Sequence, residues 1–86
     1  MYTVYILRSN KCERYYIGHT SDIEKRLVEH NSGRTQSTKP YIPWEIIYTE
    51  EYATKSEAYK REQEIKSYKS GIKFHKLVNS ERWQSG

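Results

Sequence analysis

Five side chains in this sequence are of kinds that act on anions and protons: Tyr5, Tyr16, Arg26, His30 and Glu62. A phenol and an imidazole can pass a proton between them, a guanidinium presents a planar fork of donors to an anion, and a carboxylate attracts a cation. Arg26 and His30 are one helical turn apart in sequence, which on a helix places them roughly 40° apart on one face. Glu62 falls on one line with Ala58 and Ile65, so a carboxylate stands in the middle of an apolar stripe. Burying it unpaired costs several kcal/mol, whereas an i,i+4 contact with Lys66 returns only about 0.2–0.5 kcal/mol. A bound dication would resolve that deficit. Taken singly, each residue has an ordinary reading: Tyr5 and Tyr16 as strand core, Arg26 as surface, His30 as a residue favoured by a helix C-terminus, Glu62 as a solvated residue. Their convergence is what argues for chemistry.

The elements that must position them follow from periodicity. Tyr2 to Arg8 and Tyr15 to Thr20 are rich in aromatic and β-branched residues and predict two strands. The polar connector from Ser9 to Arg14 has hairpin length, so these strands should pair antiparallel. If Val4, Ile6 and Ile17 face one layer, Tyr5 and Tyr16 must project from the other, because neighbouring strand residues point oppositely. A helix should start at Ser21 or Asp22 and stop at Asn31-Ser32-Gly33, with Ile23, Arg26, Leu27 and His30 in one stripe. Residues 34–43, with two prolines, predict a loop, and Trp44 to Tyr52 a third strand. Thr54 and Glu57 have capping-box spacing for a helix through Lys69, with Gly71 as its C-terminal cap. Phe74, Leu77 and Val78 predict a short closing helix before a polar tail that contains Trp83. The expected fold is α+β, a small three-stranded antiparallel sheet flanked by helices in the order ββαβαα, with one domain over 1–79 and a tail over 80–86.

With 86 residues the chain has room for one domain. Aliphatic residues are scarce, but nine Tyr, two Trp and one Phe supply a thin core of aromatic bodies with wet polar tips. The single Cys12 excludes an internal disulfide, three scattered histidines do not resemble a structural zinc site, and a reducing, cytoplasmic location is expected. Met1 to Leu7 is a short alternating segment unlike a charged leader, and no apolar run approaches membrane-spanning length, so no targeting elsewhere is expected. The formal net charge of +4 makes polyanions the first partner to consider. Basic residues concentrate between Lys55 and Lys76, and Arg34, Gln36, Ser37, Lys39 and Tyr41 make a loop suited to phosphate contact. Binding through such contacts should be salt-sensitive and mostly independent of sequence.

Val4-Tyr5-Ile6, Tyr16-Ile17-Gly18, Arg26 with His30, and Glu62, in that order, resemble the GIY-YIG nuclease superfamily over roughly residues 2 to 79. Tyr15 through Thr20, Lys25-Arg26-Leu27, His30 through Gly33, and Ala58 through Lys66 resemble its stand-alone bacterial group. The glycine of the first triplet is Val4 here, which leaves the tyrosine intact. The resemblance implies an endonuclease that hydrolyses phosphodiester bonds in DNA, acting on branched or damaged structures in repair or recombination. It also implies that Glu62 holds one divalent cation, Mg²⁺ or Mn²⁺, that Tyr5 takes a proton from the attacking water, and that Tyr16 positions phosphate or water. His30 would then accept the phenolic proton or orient the phenol, and Arg26 would grip the phosphate. Arg34, Lys39 and Lys66 are the candidate DNA contacts, while His19, His75 and Cys12 are assigned no catalytic role. The competing reading is a catalytically idle nucleic-acid-binding module with the same fold.

Overall fold

Three strands form the centre of the computed structural model, which describes residues 1–69 and 71–79. They are β1 (Tyr2–Ser9), β2 (Tyr15–Thr20) and β3 (Trp44–Tyr52), and β1 lies in the middle, antiparallel to both neighbours. Its central place explains its composition: Thr3 to Leu7 is an uninterrupted buried run, because both faces of a middle strand are covered. The helices are α1 (Ile23–Asn31), α2 (Lys55–Lys66) and α3 (Ile72–Val78), so the order is ββαβαα as the periodicity predicts. The polar tail and Trp83 lie outside the described residues.

The alternation of β1 divides two apolar layers. Val4 and Ile6 face a core built from Ala58 and Ile65 of α2 and Phe74 and Val78 of α3. Tyr5 and Leu7 face the opposite layer, where Trp44, Tyr16, and Ile23 and Leu27 of α1 pack. The β1–β2 register pairs Tyr5 with Gly18 and Leu7 with Tyr16, so both tyrosines lie on the α1 side; it pairs Val4 with His19 and Ile6 with Ile17 on the α2 side.

Local signals set the helix ends. Asp22 caps α1 by accepting from the Lys25 amide at 3.1 Å, and Gly33 takes a left-handed φ of 83° just beyond it. Thr54 caps α2 by accepting from the Glu57 amide at 3.2 Å. The far end of α2 differs from expectation. The helix stops at Lys66 rather than Lys69, the left-handed residue is Lys69 (φ 49°), and Gly71 caps the start of α3 instead. Three i→i−3 bonds, from the amides of Tyr68, Lys69 and Gly71, tighten the chain here. A Cβ on Gly71 would lie 3.0 Å from the Tyr68 carbonyl, a close approach that favours glycine.

A polar clamp ties α2 to β3. Arg61 donates from Nε and a terminal nitrogen to the two Glu50 oxygens, at 2.8 and 2.9 Å, and the Tyr48 and Tyr52 hydroxyls donate to the same carboxylate. Burial pushes the Glu50 carboxyl up, but these donors outweigh it and hold it below its usual range; in return Tyr48 and Tyr52 are pushed up to about 12, by burial first and then by Glu50. Arg61→Met should therefore leave an under-compensated carboxylate under the helix. A loss of about 1–3 kcal/mol is expected from urea unfolding, below the full cost of breaking a buried pair because both side chains retain some exposure. An unchanged unfolding midpoint would contradict this account.

Candidate active site

Tyr5 is 1 % exposed, yet its hydroxyl is paired: it lies 3.2 Å from Nε2 of His30, which is fully buried. The other ring nitrogen, Nδ1, is 2.9 Å from the Thr38 hydroxyl, and that hydroxyl donates its one proton to the Thr35 carbonyl at 3.2 Å. With that donation made, Thr38 accepts from His30, and the tautomer consistent with it carries the imidazole proton on Nδ1 and leaves Nε2 to accept from Tyr5. The result is a directed chain, Tyr5 to His30 to Thr38 to the Thr35 carbonyl. Thr38 is held in place because its carbonyl accepts from the Trp44 indole at 2.9 Å, while Asn31 bonds the Trp44 backbone from the end of α1.

The electrostatics keep the ring neutral. Burial, then the nearby Arg26 charge, pushes His30 down to about 4. Burial likewise pushes Tyr5 up to about 12 against the opposing pull of Arg26, with smaller upward contributions from Tyr16 and Glu62. Arg26 is held above its ordinary value by Glu29, 2.9 Å from it, and then by Tyr5 and Tyr16. Because the unfolded chain protonates His30 near pH 6.5 and the folded chain only near 4, His30 costs no stability above about 6.5. Below that, stability should fall as pH drops toward 4, by up to about 3 kcal/mol at 1.36 kcal/mol per unit. Urea midpoints between pH 7 and 5, above the window of the lowered carboxylates Glu29, Glu50 and Glu64, would read this term. A flat profile there would rule it out.

Tyr16 completes an aromatic group with these residues, its ring centroid 4.6 Å from that of His30 and 6.2 Å from that of Tyr5. Gly18 makes the arrangement possible. A Cβ at that position would lie 2.7 Å from the Tyr5 hydroxyl and 3.1 Å from the Tyr16 ring. Gly18→Ala should therefore displace the phenol from His30. We expect a cost of about 1–3 kcal/mol in thermal or urea unfolding, with near-ultraviolet circular dichroism reporting the changed tyrosine environment. A wild-type spectrum and stability would show that the phenol tolerates the methyl group.

Glu62 approaches the same strand from the opposite layer and is 7 % exposed. Its Oε1 lies 2.5 Å from Nδ1 of His19, its Oε2 lies 2.6 Å from the Lys66 ammonium, and the Gln63 amide is 3.4 Å from Oε2. The Tyr5 ring reaches over Gly18 on one face of the edge strand β2, and Glu62 reaches His19 on the other. Of the five residues singled out from the sequence, Tyr5, Tyr16, Arg26 and His30 gather on the α1 side of β2, and Glu62 stands on the α2 side.

The family that the motifs resemble implies a divalent cation at Glu62. Among the described residues no group of three His, Cys, Asp or Glu side chains is arranged to hold a metal ion. A single, largely buried carboxylate nevertheless fits a hard cation that fills the rest of its shell with water and substrate phosphate, as Mg²⁺ commonly does.

Arg34 and Lys39 are exposed and flank the loop beside α1, the Lys39 stem lying against Gly33. Lys66 is bound to Glu62 rather than standing free. Two residues that contact these side chains, His19 and Thr38, carry no local signal in the sequence. His19 had the look of an ordinary strand-end residue, and its partner lies 43 positions away. Thr38 sat in an unpatterned loop, with no local signal of the histidine above it. His75 and Cys12 are exposed and remote from these contacts. No helix among the described residues is long and apolar enough to cross a membrane.

Residues 1–74 match the family described as the GIY-YIG catalytic domain. A UPF0213 protein of Staphylococcus epidermidis is 46% identical over 66 residues, covering 76% of this chain and 79% of the relative. A UPF0213 protein of Natronomonas pharaonis is 40% identical over 79 residues, 91% of either chain. The solution NMR structure of a UPF0213 protein from Bacillus halodurans superposes with a TM-score of 0.56 at 32% identity, covering 91% of this chain and 83% of that one.

Proposed function

The chain belongs to the GIY-YIG catalytic-domain family, a family of nucleases, and from that premise we propose that it is a metal-dependent endonuclease that hydrolyses phosphodiester bonds in DNA. The observation that carries this reading is the directed hydrogen-bond chain from the buried Tyr5 hydroxyl through His30, with the Arg26 charge beside it. Such a chain is out of place in a purely structural core, where a phenylalanine would pack without the cost of burying a hydroxyl and an imidazole.

Hydrolysis at phosphorus needs a deprotonated water and compensation for charge that builds on the phosphoryl oxygens. A phenol with a pKa near 12 is a poor reservoir of phenolate at neutral pH, and the chain removes the need for one. As the Tyr5 oxygen takes a proton from the attacking water, its own proton passes to Nε2 of His30, so the phenol is neutral before and after the step; the water oxygen bonds to phosphorus as the bond to the leaving sugar oxygen breaks, and that oxygen takes its proton from solvent. The imidazolium that forms is buried behind Tyr5, and the negative charge of a phosphate gripped by Arg26 would offset part of that cost. Arg26, oriented by Glu29, presents its fork to the phosphate, and Tyr16 beside Tyr5 positions phosphate or water by hydrogen bonding. Glu62 would hold the divalent cation, which when bound neutralises phosphate charge and polarises coordinated oxygen. Lys66, Arg34 and Lys39 supply cationic contacts to the strand, and because such contacts are made to phosphates rather than to base edges, the substrates proposed are branched or damaged DNA.

Purified protein incubated with Mg²⁺ or Mn²⁺ and a panel of duplex, single-stranded and branched DNAs and RNAs tests the proposal, with the Glu62→Gln protein as control. Cation-dependent cleavage that the control lacks is the expected result. Binding without cleavage across the whole panel would favour a catalytically idle nucleic-acid-binding module.

A further inference from the structure

The two oxygens of Glu62 are held in unlike ways. Oε1 meets His19, a residue of the paired strand β2, whereas Oε2 meets the tip of Lys66, a long side chain that is 48 % exposed. An ionised carboxylate only accepts hydrogen bonds, so Nδ1 of His19 is the donor. The imidazole is fixed from two sides: its backbone pairs with Val4 in the middle strand, and its ring lies edge-on to Tyr59, one turn before Glu62 on α2, with centroids 6.1 Å apart. The Lys66 contact is an i,i+4 pair at the surface, weak and easily exchanged.

We propose that His19 is a positioning residue for Glu62: by donating Nδ1–H to Oε1 it fixes the carboxylate against the sheet and leaves Oε2 as the corner at which Lys66 and a divalent cation exchange. The inference rests on the reading of Glu62 as the cation holder. It assigns a role to a residue that bonds Glu62 and stands on the layer of the sheet opposite Tyr5 and His30. A carboxylate with one oxygen tied down loses less freedom when the other binds a cation, and outer partners of this kind typically contribute 10- to 100-fold to metal affinity. Lys66, once displaced from Oε2, is free to meet a phosphate of the strand that arrives with the cation.

The test is a Mn²⁺ titration of the whole chain followed by paramagnetic broadening in amide NMR spectra, without nucleic acid. Broadening centred on the middle of α2 and on His19 is expected for the wild type, and its loss in Glu62→Gln. His19→Leu should require about 10- to 100-fold more Mn²⁺, and His19→Asn, whose amide can donate from nearly the Nδ1 position, should recover most of the affinity. If Glu62→Gln broadens like the wild type, the cation reading fails and this inference with it. If Glu62→Gln loses the effect while His19→Leu titrates as wild type, the inference alone is overturned. Should His19→Leu fail to fold, the ring nitrogen signals of wild-type His19 decide: Nδ1 should remain protonated on adding Mg²⁺, and loss of that proton to direct coordination would overturn the positioning role.

Discussion

Glu62→Gln protein should fold and fail to cut. The amide oxygen can still accept from His19, and Lys66, being exposed, can swing away from the amide nitrogen, so the tie between α2 and β2 survives. What goes is the charge. A divalent cation at a phosphoryl centre is worth several kcal/mol, which at 1.36 kcal/mol per decade makes a loss of roughly 10³-fold or more in the rate of plasmid nicking. The measurement is nicking at saturating Mg²⁺ beside a thermal melt of the same preparation. Wild-type nicking by a folded Glu62→Gln protein would remove Glu62 from the chemistry altogether.

Tyr5→Phe should separate catalysis from binding more sharply. The ring keeps its packing against Tyr16 and over Gly18, and only the hydroxyl that feeds His30 disappears. Nε2 of His30 is left buried without a donor, a cost of about 1–3 kcal/mol in stability. General-base participation contributes about 10²–10⁴ in rate, so kcat should fall by that factor while KM for DNA, set by the cationic contacts, stays close to wild type. Equal losses in KM and kcat, or no loss at all, would move Tyr5 out of the proton path. Arg26→Ala should differ from it in kind, because the guanidinium depresses the His30 pKa in addition to its proposed grip on the phosphate.

The proposed site straddles the edge strand β2, with the Tyr5 group on one face and Glu62 on the other. With β1 buried on both faces and helices on either side, the interior has no room for a strand of nucleic acid. An edge strand is where groups from both layers can be presented together. Tyr5 reaches the rim by lying across Gly18, and Glu62 by leaning against His19, so two neighbouring residues of one strand join the two halves.

Residue pattern alone determined the elements and the faces of their side chains. Alternation put Tyr5 and Tyr16 on one side of the sheet, helical spacing put Arg26 with His30, and the line through Ala58 and Ile65 put Glu62 inside. These are local properties, decided by repeats of 2 and 3.6 residues and by caps such as Asp22 and Thr54. The tertiary structure decided what no repeat encodes. Only assembly of the sheet made β1 its centre and β2 its edge, brought Thr38 beneath His30, and set His19 against a carboxylate from a distant helix. It also ended α2 before Ser67, where tight i→i−3 bonding redirects the chain and hands Gly71 to the next helix. Contacts between residues far apart in the chain depend on how whole elements pack, and a window of neighbouring residues carries no record of that.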